Sequence, residues 1–148
     1  MKFNTSYFRN FDNIYDSAAL HCVCASLHYE WDCIITLVKI LLPPNINKNS
    51  QNNQGITPLA MTLTCFNATI KNELPLRITY LLIKHQAENN VLDTIKRNTV
   101  LTIIFKCYHS YNIIKILIEK GKANVNTINW EEELAMSLVC HSNNIEQY

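Results

Sequence analysis

Hydrophobic residues recur along this chain in short helical bursts, with no sustained alternation of the kind a strand requires. A burst of about two turns is followed by a polar connection, then by a more regular amphipathic helix, then by a polar segment rich in asparagine. The segment QGITPLAMTL around Leu59 leads to RITYLLIKHQAENN, and RNTVLTIIF around Leu101 leads to YNIIKILIEKGKANVN. Upstream, DSAALHCVC around Leu20 leads to IITLVKILLPPNIN. Downstream, EEELAMSLVC places Leu134 at the same point, but only eight residues follow Cys140 and no second helix is predicted. The four leucines are 39, 42 and 33 residues apart. Helices this short are unstable alone in water, so each pair must cover its apolar side with the next pair. The pattern predicts an all-α fold: one domain over residues 1–148, a solenoid of about four irregular helix-turn-helix repeats. The repeats span approximately 16–49, 55–90, 97–126 and, incompletely, 130–148.

Local chemistry sharpens the unit. Thr57 is placed to cap an inner helix through its hydroxyl, and Pro58 fits the first helical position, where its missing N–H costs nothing. Leu59 then points into the stack. Gly121 is placed to end the third outer helix in a left-handed conformation. Gln86 stands at the corresponding place in the second repeat and must either accept that dihedral or end its helix differently; Pro43–Pro44 stop the first. The surplus residues of the longer repeats are expected in loops between paired helices, around 27–32 (LHYEWD) and 67–75 (NATIKNELP), where extra length costs little entropy. Phe3, Tyr7, Phe8, Phe11 and Tyr15 either fold over the first repeat as a cap or serve as binding residues.

The segments Gly55-Ile56-Thr57-Pro58-Leu59, Ala18-Ala19-Leu20-His21 and Gly121-Lys122-Ala123-Asn124-Val125-Asn126 resemble the ankyrin repeat, whose unit is 33 residues. The resemblance covers roughly residues 12–142. It implies a non-enzymatic protein–protein interaction module that binds through its turn tips, here 52–57, 93–99 and 127–133, and through exposed inner-helix positions. Family members usually carry paired alanines in the inner helix. Here Val23-Cys24, Thr62-Leu63, Ile104-Phe105 and Ser137-Leu138 stand at those places, so the stack must be heterogeneous.

The long uneven insertions and the Asn/Ile-rich composition resemble, within that family, the ankyrin proteins of poxviruses. That resemblance implies a host protein as partner and a place in the host cytoplasm. The F-box-like ending that recruits a ubiquitin ligase in many of them has no counterpart after Tyr148. Two other readings of the repeats stand beside it: a short inhibitor-like protein binding host NF-κB factors, and a structural subunit whose last repeat is completed by another chain.

Composition narrows the alternatives. Thirteen Lys/Arg against twelve Asp/Glu give a formal charge of +1, which argues against nucleic acid as a partner. The most apolar run, Cys33 to Pro44, is broken by Lys39 and falls short of a membrane span, and no secretory signal is recognisable at the N-terminus; the expected location is intracellular. Six cysteines lie mostly within apolar helical patterns and read as buried free thiols. No catalytic or cofactor motif is present, so no enzyme activity and no cofactor are expected. A metal reading rests on His21, Cys24 and His28, which follow helical spacing beside Cys22 and Cys33 and would suit zinc. Against it, His21 occupies a helix-start position where its ring ordinarily bonds locally.

Charge is unevenly placed. Residues 71–122 contain nine Lys/Arg against four Asp/Glu, whereas 123–148 contain four Glu and no Lys or Arg. The candidate protein-binding residues are Lys96, Arg97, Trp130, Glu131 and Glu132. Trp130 lies in the turn before the last inner helix, either packed on the preceding repeat or exposed as a contact anchor.

Overall fold

A computed structural model describes residues 19–26, 30–42, 46–65, 73–107 and 110–142, with the side chains of 107 and 139–142 excepted. Several sequence-derived expectations fall outside these residues: the N-terminal aromatics, His28, the Pro43–Pro44 stop and residues 67–72 of the second insertion.

The described residues are all-α apart from one isolated antiparallel bridge between Ile128 and Leu134. Among the described residues, seven helices follow one another as α1 (Ala19–Ala25), α2 (Trp31–Leu41), α3 (Pro58–Thr64), α4 (Leu74–Lys84), α5 (Val100–Cys107), α6 (Tyr111–Lys115, continued by a π-helical turn Ile116–Lys120) and α7 (Ala135–Ser142). They form two rows. The short helices α1, α3, α5 and α7 each pack on the next, and the outer helices α2, α4 and α6 do the same, while α1 packs on α2 and α3 on α4. This is the contact pattern of stacked helix-turn-helix units.

The sequence dictates these elements locally. Thr57 is extended (φ −83°, ψ 164°) and accepts the Ala60 N–H on its hydroxyl at 3.2 Å, with Pro58 as the first helical residue of α3. Thr99 does the same for α5, accepting from Thr102 N–H at 3.3 Å. The outer helices bury one stripe each: Ile34, Val38 and Leu41 on α2, and Leu74, Ile78 and Leu82 on α4, at i, i+4 and i+7 or i+8. The inner helices lie between two neighbours, so α3 buries Leu59, Ala60, Thr62 and Leu63 around most of its circumference. Each fully buried leucine stabilises the fold by roughly 2 kcal/mol.

Three local expectations are corrected. Trp31 and Asp32 are the first residues of α2, and Leu74 and Pro75 of α4, so the loops around 27–32 and 67–75 end earlier than the sequence indicated. Leu20, Leu59 and Leu101 each lie second in their described helices and are fully buried, but Leu134 precedes α7 and is only half-buried. The second residue of α7 is Met136, and α5 and α7 start 35 residues apart, at Val100 and Ala135.

The third correction concerns Gly121. It is right-handed (φ −82°, ψ −14°), and the left-handed residue is its neighbour Lys122 at φ 57°. In the second repeat Gln86 is left-handed at φ 66°, and the following Ala87 donates its N–H back to Leu82 O at 2.9 Å. The equivalent bond in the third repeat runs from Ala123 N–H to Leu117 O at 3.0 Å, across one more residue. The π turn absorbs that extra residue, with Gly121 N–H reaching Ile116 O at 3.0 Å. Glycine is needed there for space. A Cβ on Gly121 would overlap the Asn89 amide nitrogen and stand 2.8 Å from Leu117 O.

Candidate functional site

The turns between repeats share one construction. In each, an Asn or Asp side chain accepts backbone N–H groups of the following residues, while its own N–H donates to a carbonyl four or five residues on. Asn52 Oδ1 accepts from Gln54 and Ile56 at 2.9 and 3.0 Å. Asp93 accepts from Ile95, Lys96 and Asn98 at 2.9, 2.6 and 3.2 Å. Asn129 Oδ1 accepts from Glu131 and Glu133, both at 2.9 Å. The next-to-last residue of each turn is left-handed: Gly55 at φ 71°, Arg97 at 57° and Glu132 at 60°.

These tips are tied to one another by main-chain bonds. Thr94 N–H donates to Gln54 O at 3.1 Å, and Trp130 N–H to Lys96 O at 2.9 Å. The approach at the first junction is close enough that a Cβ on Gly55 would stand 2.5 Å from Thr94 N. Asparagine side chains complete the fastening. Asn49 Oδ1 accepts the Glu88 N–H at 2.8 Å, Asn90 Oδ1 accepts the Asn124 N–H at 2.7 Å, and Asn129 Nδ2 donates to Asn98 Oδ1 at 3.0 Å. The asparagine bias of the sequence therefore has a structural use that composition alone did not reveal: the short amide side chain satisfies the backbone of the adjacent unit.

The candidate binding residues gather at the tips of the third and fourth units. Trp130 is 62% exposed, Ile95 53% and Ile128 52%. Arg97 and Glu132 are exposed, both on left-handed backbone. Lys96 and Glu131 are differently employed. Lys96 Nζ lies 2.6 Å from Glu131 Oε1, Lys106 reaches the other oxygen of Glu131, and Lys106 also lies 2.6 Å from Glu133 Oε2. Hydrogen bonds from Lys106 and Lys96 hold the Glu131 carboxyl down at about 2 against the opposing effect of desolvation. Burial lowers the Lys106 pKa, but hydrogen bonds to Glu131 and Glu133 outweigh it and leave the pKa raised. The separation of positive and negative segments along the sequence is thus partly neutralised in space, because the acidic turn sits on the basic unit before it.

Metal chemistry gains no support from the described geometry. His21 Nε2 lies 2.7 Å from Ile56 O in the next unit, and Cys24 is fully buried. Burial pushes the Cys24 thiol up to about 12, with a hydrogen bond to Thr62 opposing and Cys65 adding a little. Among the described residues no three His, Cys, Asp or Glu side chains converge, and no described helix is long and apolar enough to cross a membrane.

No family model matches this chain, and no curated protein matches it significantly.

Proposed function

We propose that the chain is a non-enzymatic protein-interaction module of ankyrin type that binds its partner through the tips of the third and fourth units. The observation that carries this reading is the exposed Trp130, on two tips that also expose Arg97 and Glu132 from left-handed backbone. A non-glycine residue at positive φ costs of order 1 kcal/mol where glycine would cost nothing, and Gly55 occupies the equivalent position one unit earlier. Residues kept at that cost project side chains from the tip. Trp130, Ile95 and Ile128 supply an apolar contact, and Arg97 and Glu132 supply charge of both signs beside it. Lys96 and Glu131 neutralise each other and tie the two tips together. A host protein as partner, as in the poxvirus ankyrin proteins the sequence resembles, extends this reading.

The test is capture of partners from host-cell lysate by the wild-type chain and by a Trp130→Ala/Arg97→Glu variant. The reading expects a partner that the folded variant loses, with affinity down by about thirtyfold or more, the effect of removing a tryptophan anchor. Equal capture by both chains overturns it.

A second reading has its own observation. Met136 is 53% exposed on α7, which has no outer helix beside it among the described residues. If another chain completes this unit, the purified protein associates with itself or its partner through Met136, and Met136→Glu abolishes that association while leaving capture through Trp130 intact.

A further inference from the structure

The outer helices carry a second surface feature. A groove of about 460 Å³ runs across α2, α4 and the π turn, floored by the half-buried Ile35, Leu76, Leu81 and Ile116. Its charged lining residues, Lys39 and Arg77, are both cations and both exposed. Tyr80 stands at its wall with Lys120 Nζ 4.8 Å from the ring centroid, adding a third positive charge. None of the three cations is ion-paired with another described residue. The π turn contributes to this arrangement directly. It begins at Ile116, which lines the groove, and ends at Lys120 over Tyr80.

We infer that this groove docks an acidic amphipathic segment of a partner protein, a helix whose apolar anchors enter between α2, α4 and the π turn while its carboxylates meet Lys39, Arg77 and Lys120. Charge complementarity selects the occupant, because the lining residues offer two cations and no carboxylate. Three helices side by side at about 9 Å span about 18 Å, the rise of roughly twelve helical residues, so a short helix with anchors at i, i+3 or i+4 and i+7 fits the width. A concavity lined by four half-buried apolar side chains suits inserted side chains of a partner. This site is separate from the tips and does not depend on the reading of Trp130.

The test uses a phage-displayed library of random ~16-residue peptides, selected on the wild-type chain and measured against Lys39→Glu/Arg77→Glu and, separately, Trp130→Ala. All three residues are exposed, and circular dichroism checks that each variant is folded; Lys39→Gln/Arg77→Gln serves as a milder second variant. The expected result is enrichment of sequences that pair apolar anchors with flanking Asp and Glu. Their affinity falls about tenfold or more in the charge-reversed variant, falls less in the neutralised one, weakens with salt, and is unchanged by Trp130→Ala. Absence of acidic enrichment, or enriched peptides that bind Lys39→Glu/Arg77→Glu as tightly as wild type, overturns the proposal. Sedimentation with phosphatidylserine vesicles in preference to the peptides overturns it in favour of a membrane surface.

Discussion

The first and last described junctions of the stack each join two inner helices but are held by different forces. At the first, α1 buries Ala19, Leu20, His21, Val23 and Cys24, and the His21 ring lies against Ile56 O of the next unit. At the last, Ala135 is the only residue of α7 with a described side chain that is fully covered, and Met136 is largely exposed. The fastening there is polar and peripheral: Lys96 and Lys106 against Glu131 and Glu133, with Asn98 against Asn129. Apolar burial is insensitive to salt and strong per residue, whereas exposed ion pairs are screened and weak. In a repeat stack, stability is a sum of unit and junction terms, so the end joined by charges should open first. That end also carries Trp130, Arg97 and Glu132.

Substitutions at equivalent positions separate the two regimes most strongly. Leu59→Ala and Met136→Ala alter the second residue of an inner helix in both cases. The first should cost about 3 kcal/mol in denaturant unfolding and the second no more than about 0.5. Comparable losses would mean that α7 is as buried as α3. Gly121→Ala should cost about 2 kcal/mol, because the new methyl meets the Asn89 amide and the Leu117 carbonyl. Lys122→Gly should be neutral or stabilising by up to about 1 kcal/mol, since Lys122 is the left-handed residue. The opposite ranking would restore Gly121 as the left-handed cap.

At the tips, Arg97→Gly and Glu132→Gly should each stabilise by about 0.5 kcal/mol while weakening the partner captured through Trp130. A gain in stability with unchanged binding would leave those side chains without a role. Glu131 supplies a pH dependence. Its folded pKa of about 2 lies below the ordinary 4.5, so its contribution is present above about 4.5 and is lost as pH falls toward 2. Glu131→Gln should flatten that part of the acid-unfolding curve and reduce the salt sensitivity of α7. The smallest effect is chemical: at pH 8 iodoacetamide should label the exposed Cys22 and Cys33 and spare Cys24, as mass spectrometry would read.

Much of the architecture was legible because its determinants are local. Thr57-Pro58-Leu59 specifies a cap, a first turn and a core contact within three residues, and the structure places all three so. Leu134 misled because the apolar pattern alone set the helix start, whereas Leu134 is held in a bridge with Ile128 and α7 begins only at Ala135. The inserted residue before Gly121 was invisible, since a π turn leaves the spacing of apolar residues nearly helical. Of the site, Trp130, Arg97 and Glu132 were readable as turn-tip residues. The pairing of Lys96 with Glu131, 35 residues apart, was not, nor was the groove, because both depend on how adjacent units stack.

Native-state hydrogen exchange of the folded chain, followed amide by amide at low and high salt, tests the difference between the junctions most directly. The account predicts that amides of α3 and α5 exchange only through global unfolding, that those of α7 exchange through a cheaper local opening, and that added salt widens the gap. Amides of α7 as protected as those of α3, and indifferent to salt, would contradict it.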